Sequence, residues 1–531
     1  MHILRAACLA ALFLTIGAQL RADDVTLTSR DGAVEISGTL IGFDGEFYRV
    51  ETEFGVLTVE GSGVKCDGPA CPVLGSYVAD IVLTGARSIG TTLIPPLIED
   101  FAGRAGYQIR REDTDASSIR YHLFDGTGET EAGRFTIHLG SSADGFAALA
   151  GSTADMALSL REPVAEERDA VRDAGWGDLD STHQLRVLAR DALVPVVAPG
   201  NPVKRLTLPQ LAEIYAGKIT RWSELGGEDA AITPHLTDPT RGIGALFQAQ
   251  VGSAEASDLT VHETLSDLTA ALAADPFGIA ISTYSQADGR NILHLAGSCG
   301  FDLLPGPVSV KAGDYPLAAP MFLYLPGRHL PRLARDFLTY LRSDAAGQVV
   351  RTAGLVDQGL SGLPVAAQGD RLVNAIRAAG DEVGLDELQR MVAVFSDARR
   401  LSLTFRFRGG AATLDAPSRA NVALLAAALE SGAFDGQQLV FAGFSDGRGA
   451  AATNLRLSAR RAKAVATAVL REAETFDPAR VAISTDGFGE ASPMACDDTE
   501  QGRELNRRVE IWVKQPNLAA TDEPSEPASD Q

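Results

Sequence analysis

Basic residues are in short supply: 47 Lys and Arg stand against 69 Asp and Glu, a formal charge of −22 at pH 7. A general nucleic-acid binder displaces counterions with a basic surface, so that class is excluded. Any anion site must instead be built locally, from backbone N–H groups and a few arginines. Long apolar runs are missing too, and none approaches the roughly 20 residues that a membrane helix needs. An enzyme would show a poised nucleophile, a base or a metal cluster, yet HExxH, GxSxG and Walker patterns and clustered His/Cys are all absent. The eight histidines are scattered, His138 and His235 among them. No catalytic residue, metal site or cofactor is therefore expected.

At 531 residues, 45% of them hydrophobic, the chain is too long for one core and is expected to fold as several domains. Residues 1–22 read as a cleaved secretory signal: Arg5, an apolar stretch from Ala6 to Ile16, then small Ala22 before Asp23 and Asp24. Cys8 precedes most of that stretch, the wrong place for a lipidated cysteine. Export leaves Cys66, Cys71, Cys299 and Cys496. In KCDGPACP a Gly-Pro turn brings Cys66 and Cys71 together, and an oxidising compartment favours a small disulfide loop. A zinc pair is the weaker alternative, since no second Cys/His pair accompanies it. Cys299 and Cys496 lie too far apart for a pairing to be read.

Residues 23–75 hold short alternating runs (VTL, AVEISGTL, FYRVET, VLTVE) separated by Arg30-Asp31-Gly32 and Phe43-Asp44-Gly45, which predicts a small β-meander or barrel of about five strands. From 76 to 365, strand-like runs (VADIVL, ALVPVVA, MFLYL) alternate with helical ones (PPLIEDFA, LPQLAEIYAG, LARDFLTYLRS), the α/β signature. Residues 366–399 read as a helical connector, with Leu372, Val373, Ile376, Leu385, Leu388, Met391 and Val392 at near-helical spacing. If its helix-rich stretch of about 30 residues, 368–396, were a single helix, it would reach roughly 40 to 45 Å. A further α/β domain over 400–515 opens on LSLTFRF and closes on VEIWV, and 516–531 reads as a disordered tail.

In that last domain LVFAGFSD is apolar on both faces and ends in Ser445-Asp446, where the chain leaves the sheet. A helix follows, from about Asn454 to Arg471. At roughly 100° per residue, Leu457, Ala462, Val465, Ala466 and Val469 share one side. Arg460 points away from it, whereas Arg461 lies at the edge of the packed face, where a guanidinium needs a partner. The ordered set GFSDGRG, NLRLSARRA and DGFGEASPMACDDTEQGRELNRRVEIWV resembles the OmpA-like peptidoglycan-binding domain over essentially all of 401–514. The resemblance implies that Asp446 and Arg461 hold the two ends of a diaminopimelate side chain. A carboxylate there meets the ammonium, and a planar guanidinium takes the carboxylate bidentately. It also places Asn454, Asn506 and Arg507 near the cleft. The family's usual His-Thr before the aspartate is Phe444-Ser445 here. Without the resemblance, Asp446 reads as a loop cap salt-bridged to Arg461.

The middle region carries VLTGARSIGTTLIPPLIEDFA, LGSSADGFAALAGSTADMALSLREP, DALVPVVAPGNPVKRLTLPQLAEIYAGKITRWSELGG and DYPLAAPMFLYL. These stretches resemble the phosphate-binding proteins of ABC transporters, with the type II two-lobed solute-binding fold. Physical chemistry points the same way. In GARSIGTTLIPP a strand is followed by a Gly-flanked turn and a helix with Pro95 and Pro96 in its first turn. LGSSADGFAAL repeats the arrangement with two hydroxyls ahead of the helix, and such helix starts bind tetrahedral anions. The resemblance carries the ligand loops onto Arg87, Ser88 and Ile89; Ser141 and Ser142; Arg161; and Arg241 and Gly242. Where the family commonly has Arg-Asp-Asp-x-Ser-Gly-Thr, this chain runs from Thr237 to Ile243 as TDPTRGI. The readings left open are phosphate, a different anion, and no ligand. Ser88, Ser141 and Ser142 also read as ordinary N-caps, and Arg87 and Arg161 as surface or hinge salt bridges.

The expected whole is a multidomain α/β protein. It has a small N-terminal β-meander or barrel, a two-lobed type II periplasmic-binding-protein fold and a C-terminal OmpA-like α/β sandwich. Its expected place is the periplasm, associated with the cell wall and outer membrane. It would bind peptidoglycan and phosphate or a related oxyanion, with an inner-membrane permease or sensor as a further partner. The alternative is a wall-tethered scaffold whose solute-binding fold no longer takes a ligand.

Overall fold

The computed structural model describes residues 24–72, 77–287, 289, 291–379, 382–408 and 413–515, so the expected signal and tail lie outside the described residues. The chain divides into two compact units: the part up to Ala79 with Leu330–Arg335, and Asp80–His329 with the part from Asp336 onward. Among the described residues no helix is long and apolar enough to cross a membrane.

Alternating apolar and polar residues give the first unit an antiparallel five-stranded sheet, in the order Gly55–Glu60, Phe47–Thr52, Glu35–Phe43, Val25–Ser29, Val64–Asp67. Four strands meander and the fifth returns beside the first. Asp44 sets one hairpin: its Oδ1 accepts from the N–H groups of Glu46 and Phe47 at 2.9 and 2.6 Å. Gly45 beside it takes φ +95°, a conformation that side chains resist. Val25, Leu27, Tyr48 and Val50 form the core. A disulfide joins Cys66 to Cys71, Cα–Cα 5.8 Å.

In the second unit a ten-stranded sheet is threaded by one long strand, Leu185–Val197. Its residues Leu185 to Ala192 pair with Ala318–Tyr324, and Leu193 to Val197 pair with Gly278–Thr283. The sheet therefore has two halves, the lobes of the solute-binding fold, joined at Ala192–Leu193. Asp191, 3% exposed, pins this joint. Its carboxylate accepts from the N–H groups of Ala192 and Ser285 and from the Ser285 hydroxyl. In the first lobe, Ala79–Ala86 lies parallel to Met156–Ser159, and both run toward the predicted ligand loops.

The C-terminal sheet has the order Gly362–Pro364, Ala398–Arg406, Arg508–Lys514, Gln438–Gly443, Ala482–Gly487. Helices Ala416–Glu430 and Ala451–Glu472 cover one face, through Leu425, Leu429, Val465 and Val469 against Phe405, Phe441 and Ile511. The connector does not extend as one helix. It breaks into Gly369–Ala378 and Leu385–Phe395, and it folds back to cover the other face, with Phe395 stacked on Trp512 at 4.0 Å.

This sheet also docks on the lobes. Buried Arg400 grips Asp314 bidentately at 2.5 and 2.9 Å. Burial alone would raise the Asp314 carboxyl, but the Arg400, Arg371 and Arg406 guanidiniums together outweigh it and hold it below the ordinary carboxylate range. A second disulfide joins Cys299 to Cys496 across 197 residues of sequence.

Candidate functional sites

Strand Gln438–Gly443 delivers Phe444, Ser445 and Asp446 to the end of the C-terminal sheet. Phe444 is buried between the Phe488 ring and the Arg508 guanidinium. Asp446 Oδ2 accepts from Arg507 Nη1 at 2.7 Å, while among the described residues Oδ1 takes only a long contact, 3.4 Å, from the Arg448 N–H. Arg507 in turn reaches Glu500 at 2.6 Å. Its own guanidinium is held above its ordinary pKa because these two carboxylates outweigh its burial.

Arg461 lies on helix Ala451–Glu472, turned inward and only 6% exposed, whereas Arg460 is exposed. Its guanidinium stacks over the Phe407 ring at 5.3 Å. Among the described residues its buried Nη1 has no hydrogen-bond partner. Burial, and then the neighbouring Arg507, push its pKa down, and Asp446 only partly opposes them. A buried donor without an acceptor costs ~1–3 kcal/mol. A carboxylate with a spare oxygen thus sits near a buried cation that lacks an anion. That arrangement suits a ligand bearing an ammonium and a carboxylate together.

The two asparagines do something else. Asn506 is fully buried and spends its amide on the 494–497 loop: Oδ1 accepts from Met494 and Ala495 N–H, and Nδ2 donates to Ala495 O and Asp497 Oδ1. Asn454 donates to the Arg448 carbonyl. Asn506 thereby shapes the loop beside the site rather than offering a free amide, and Asn454 ties its helix to the 448 carbonyl.

In the first lobe the chain after Ala86 forms a short helix, Arg87–Thr92, rather than the expected open turn, and the proline-bearing helix Ile94–Ala105 follows it. Ser88 Oγ is buried with no partner among the described residues, and Ile89 is fully buried. Ser141 caps helix Ser142–Ala150 in a reciprocal capping box with Asp144. Ser142 Oγ accepts from the Leu160 N–H. Arg161 is held bidentately by Glu167, 2.7 Å at each contact, and that carboxylate raises its pKa. Arg87 is exposed and donates to the Ala116 carbonyl. In the second lobe Arg241 pairs with Asp238 at 2.8 Å, and Gly242 opens helix Gly242–Val251 with φ +58°. All three arginines therefore already have intramolecular acceptors.

Residues 128–345 match the model of the PBP superfamily domain, and residues 406–507 that of the OmpA family. The chain joins a PBP superfamily domain to an OmpA family domain. Both are families of binding proteins. The phosphate-binding protein PstS of Bacillus subtilis is 29% identical over 188 residues, 34% of this chain and 57% of that protein. The peptidoglycan-binding protein ArfA of Mycobacterium tuberculosis is 41% identical over 71 residues, 13% of this chain and 21% of that protein. The chain thus spans less than two thirds of either relative. A solved phosphate transport receptor from Vibrio cholerae aligns over 52% of this chain and 99% of its own, at 19% identity and a TM-score of 0.40.

In the PBP domain two more buried aliphatic hydroxyls, besides the phenols of Tyr315 and Tyr324, lack partners among the described residues: Thr237 Oγ1 and Ser282 Oγ. They stand at the ends of adjacent parallel strands; continuing the register His235↔Ala280 by two residues puts them side by side. Sequence reasoning noted Thr237 only as a departure from the family loop and passed over Ser282. The one local signal was a hydroxyl at the end of an apolar strand, GIAIST.

Proposed function

We propose that this is a non-catalytic protein of the bacterial cell envelope, exported to the periplasm, that binds peptidoglycan through its OmpA domain. Asp446 takes the ammonium and Arg461 the carboxylate of a diaminopimelate side chain, while Arg507 holds Asp446 in place. The single observation that carries this reading is the buried Arg461 Nη1, which has no acceptor among the described residues and lies close enough to Asp446 to feel its charge. ArfA, a peptidoglycan-binding protein by name, supports it. Asp446→Ala and Arg461→Ala are each expected to cut co-sedimentation with purified sacculi at least tenfold. A double variant that pellets like the parent refutes the assignment.

The PBP domain, on this reading, takes phosphate or a related small oxyanion, with the Ser88, Thr237 and Ser282 hydroxyls as donors. An inner-membrane permease or sensor would be the recipient of that signal. The engagement of Arg161 by Glu167, of Arg241 by Asp238 and of Ser141 by its helix favours a second reading. In it the domain is a wall-associated scaffold without a small ligand. Calorimetric titration with phosphate, sulfate and molybdate separates the two. Heat saturating near one equivalent means a receptor, and neither heat nor thermal stabilisation means a scaffold.

A further inference from the structure

A cavity of about 440 Å³ opens where three stretches of chain meet, none of which forms it alone. One is the Cys299–Phe301 loop of the PBP domain, one the connector around Arg377 and Glu382, and one the OmpA domain near Ser445, Glu490 and Asp497. The first two lie outside the 406–507 family match, so the cavity is a property of this particular fusion. Its volume is that of a small-ligand site, for which about 300–1,000 Å³ is usual.

The charges in it are unbalanced. Among the described lining residues, Glu382, Glu490 and Asp497 face a single cation, the exposed Arg377. Asp497 and Glu490 converge on Gly447, where a Cβ would lie 2.7 Å from one carboxylate and 2.9 Å from the other. Asp497 is satisfied by the Gly447 N–H and Asn506, and Glu382 accepts from the Ala451 N–H. Glu490 is not satisfied: its Oε1 is buried with no partner among the described residues. Burial, then Glu382, Asp497 and Asp446, push its carboxyl above the ordinary range. Ser445 gives a second, independent sign. It lines the same cavity at 3% exposure, and its Oγ also lacks a partner.

Unpaired buried polar atoms beside surplus negative charge call for a cation that donates hydrogen bonds. The described residues contain no group of three His, Cys, Asp or Glu placed to hold a metal ion. Phe301, Val383 and Pro493 offer the remaining wall to an alkyl chain. We propose that this cavity binds a small alkylammonium, a diamine or a basic amino acid, with its ammonium on Glu490 and Ser445 and its chain against Phe301. The proposal is independent of the diaminopimelate assignment, since Arg461 does not line the cavity.

Cadaverine titrated into the full chain tests it, with glutarate as a dicarboxylate control. Binding near one equivalent is expected for cadaverine and none for glutarate. Glu490→Gln is expected to weaken cadaverine at least tenfold, and Glu382→Gln, whose carboxylate already accepts from the Ala451 N–H, by a smaller factor. Each variant's fold is checked by circular dichroism. Arg461→Ala should keep cadaverine binding while losing sacculi, so the two assignments fail separately. No heat and no thermal shift with millimolar cadaverine overturns the proposal. Equal affinity for glutarate, or loss in Arg461→Ala with retention in both glutamine variants, overturns it as well.

Discussion

Glu510 is the residue on which the C-terminal domain's interior turns. It is completely buried, yet its Oε1 accepts from Arg508 and Arg371 at 2.7 Å, and Arg400 and the Trp512 indole approach Oε2. Burial would raise its pKa; the three guanidiniums more than reverse this and hold the carboxyl far below its ordinary 4.5. A depressed pKa contributes stability in full above the unfolded value, and that stability is lost as pH falls from about 4.5 toward the folded value. Glu510→Gln leaves buried guanidiniums without their anion and is expected to cost ~3–5 kcal/mol at pH 7. The penalty should shrink in urea melts repeated at pH 4 and pH 3. A penalty that does not change with pH would mean that packing, not charge, sets it. Arg461's inward turn was legible from helical periodicity alone, because burial on a helix follows its angle. The task of Asn506 was not: a sequence position says where an amide sits, not whether loop N–H groups have already claimed it.

Elements were most legible where one periodicity ruled. Apolar runs gave the inner strands away, and Pro95 and Pro96 marked the start of a helix, as their missing N–H groups require. The connector reads as helical from its spacing, but its apolar residues serve two purposes. Leu388 and Met391 pack on the sheet with Phe395, whereas Val373, Ile376, Leu385 and Val392 are 45–69% exposed. Seven apolar positions at near-helical spacing predict a helix-rich connector without saying which of them are covered. The break between Ala378 and Leu385 rotates the second helix onto Trp512. Whether a stripe is covered depends on what the chain meets when it folds back, and local spacing carries no record of that. The unpaired hydroxyls of Thr237 and Ser282 escaped for the same reason, since their surroundings are assembled from distant strands.

At the scale of the whole second unit, the OmpA domain touches both lobes of the PBP domain. On one side Cys496 is bonded to Cys299, within the chain between Leu193 and Leu317 that builds the second lobe. On the other, Arg419 Nη2 reaches Asp180 at 2.8 Å, the Ala416 N–H reaches Glu162 at 2.7 Å, and Arg408 also pairs with Glu162. Asp180 and Glu162 belong to the first lobe, and Glu162 is the neighbour of Arg161. A body fastened to both lobes resists rotation about Ala192–Leu193, so closure on a ligand must strain or release one set of contacts. Two cysteines 197 residues apart could not be paired from sequence, because only the docked domains bring them within bonding distance. Cys299→Ser with Cys496→Ser is expected to lower stability by ~2–5 kcal/mol, as loss of a long-loop cross-link does. It should also raise amide exchange around Asp191–Leu193, while the Cys66–Cys71 loop is unchanged. If exchange at that joint does not rise although stability falls, the disulfide only ties the chain together and the OmpA domain does not brace the lobes.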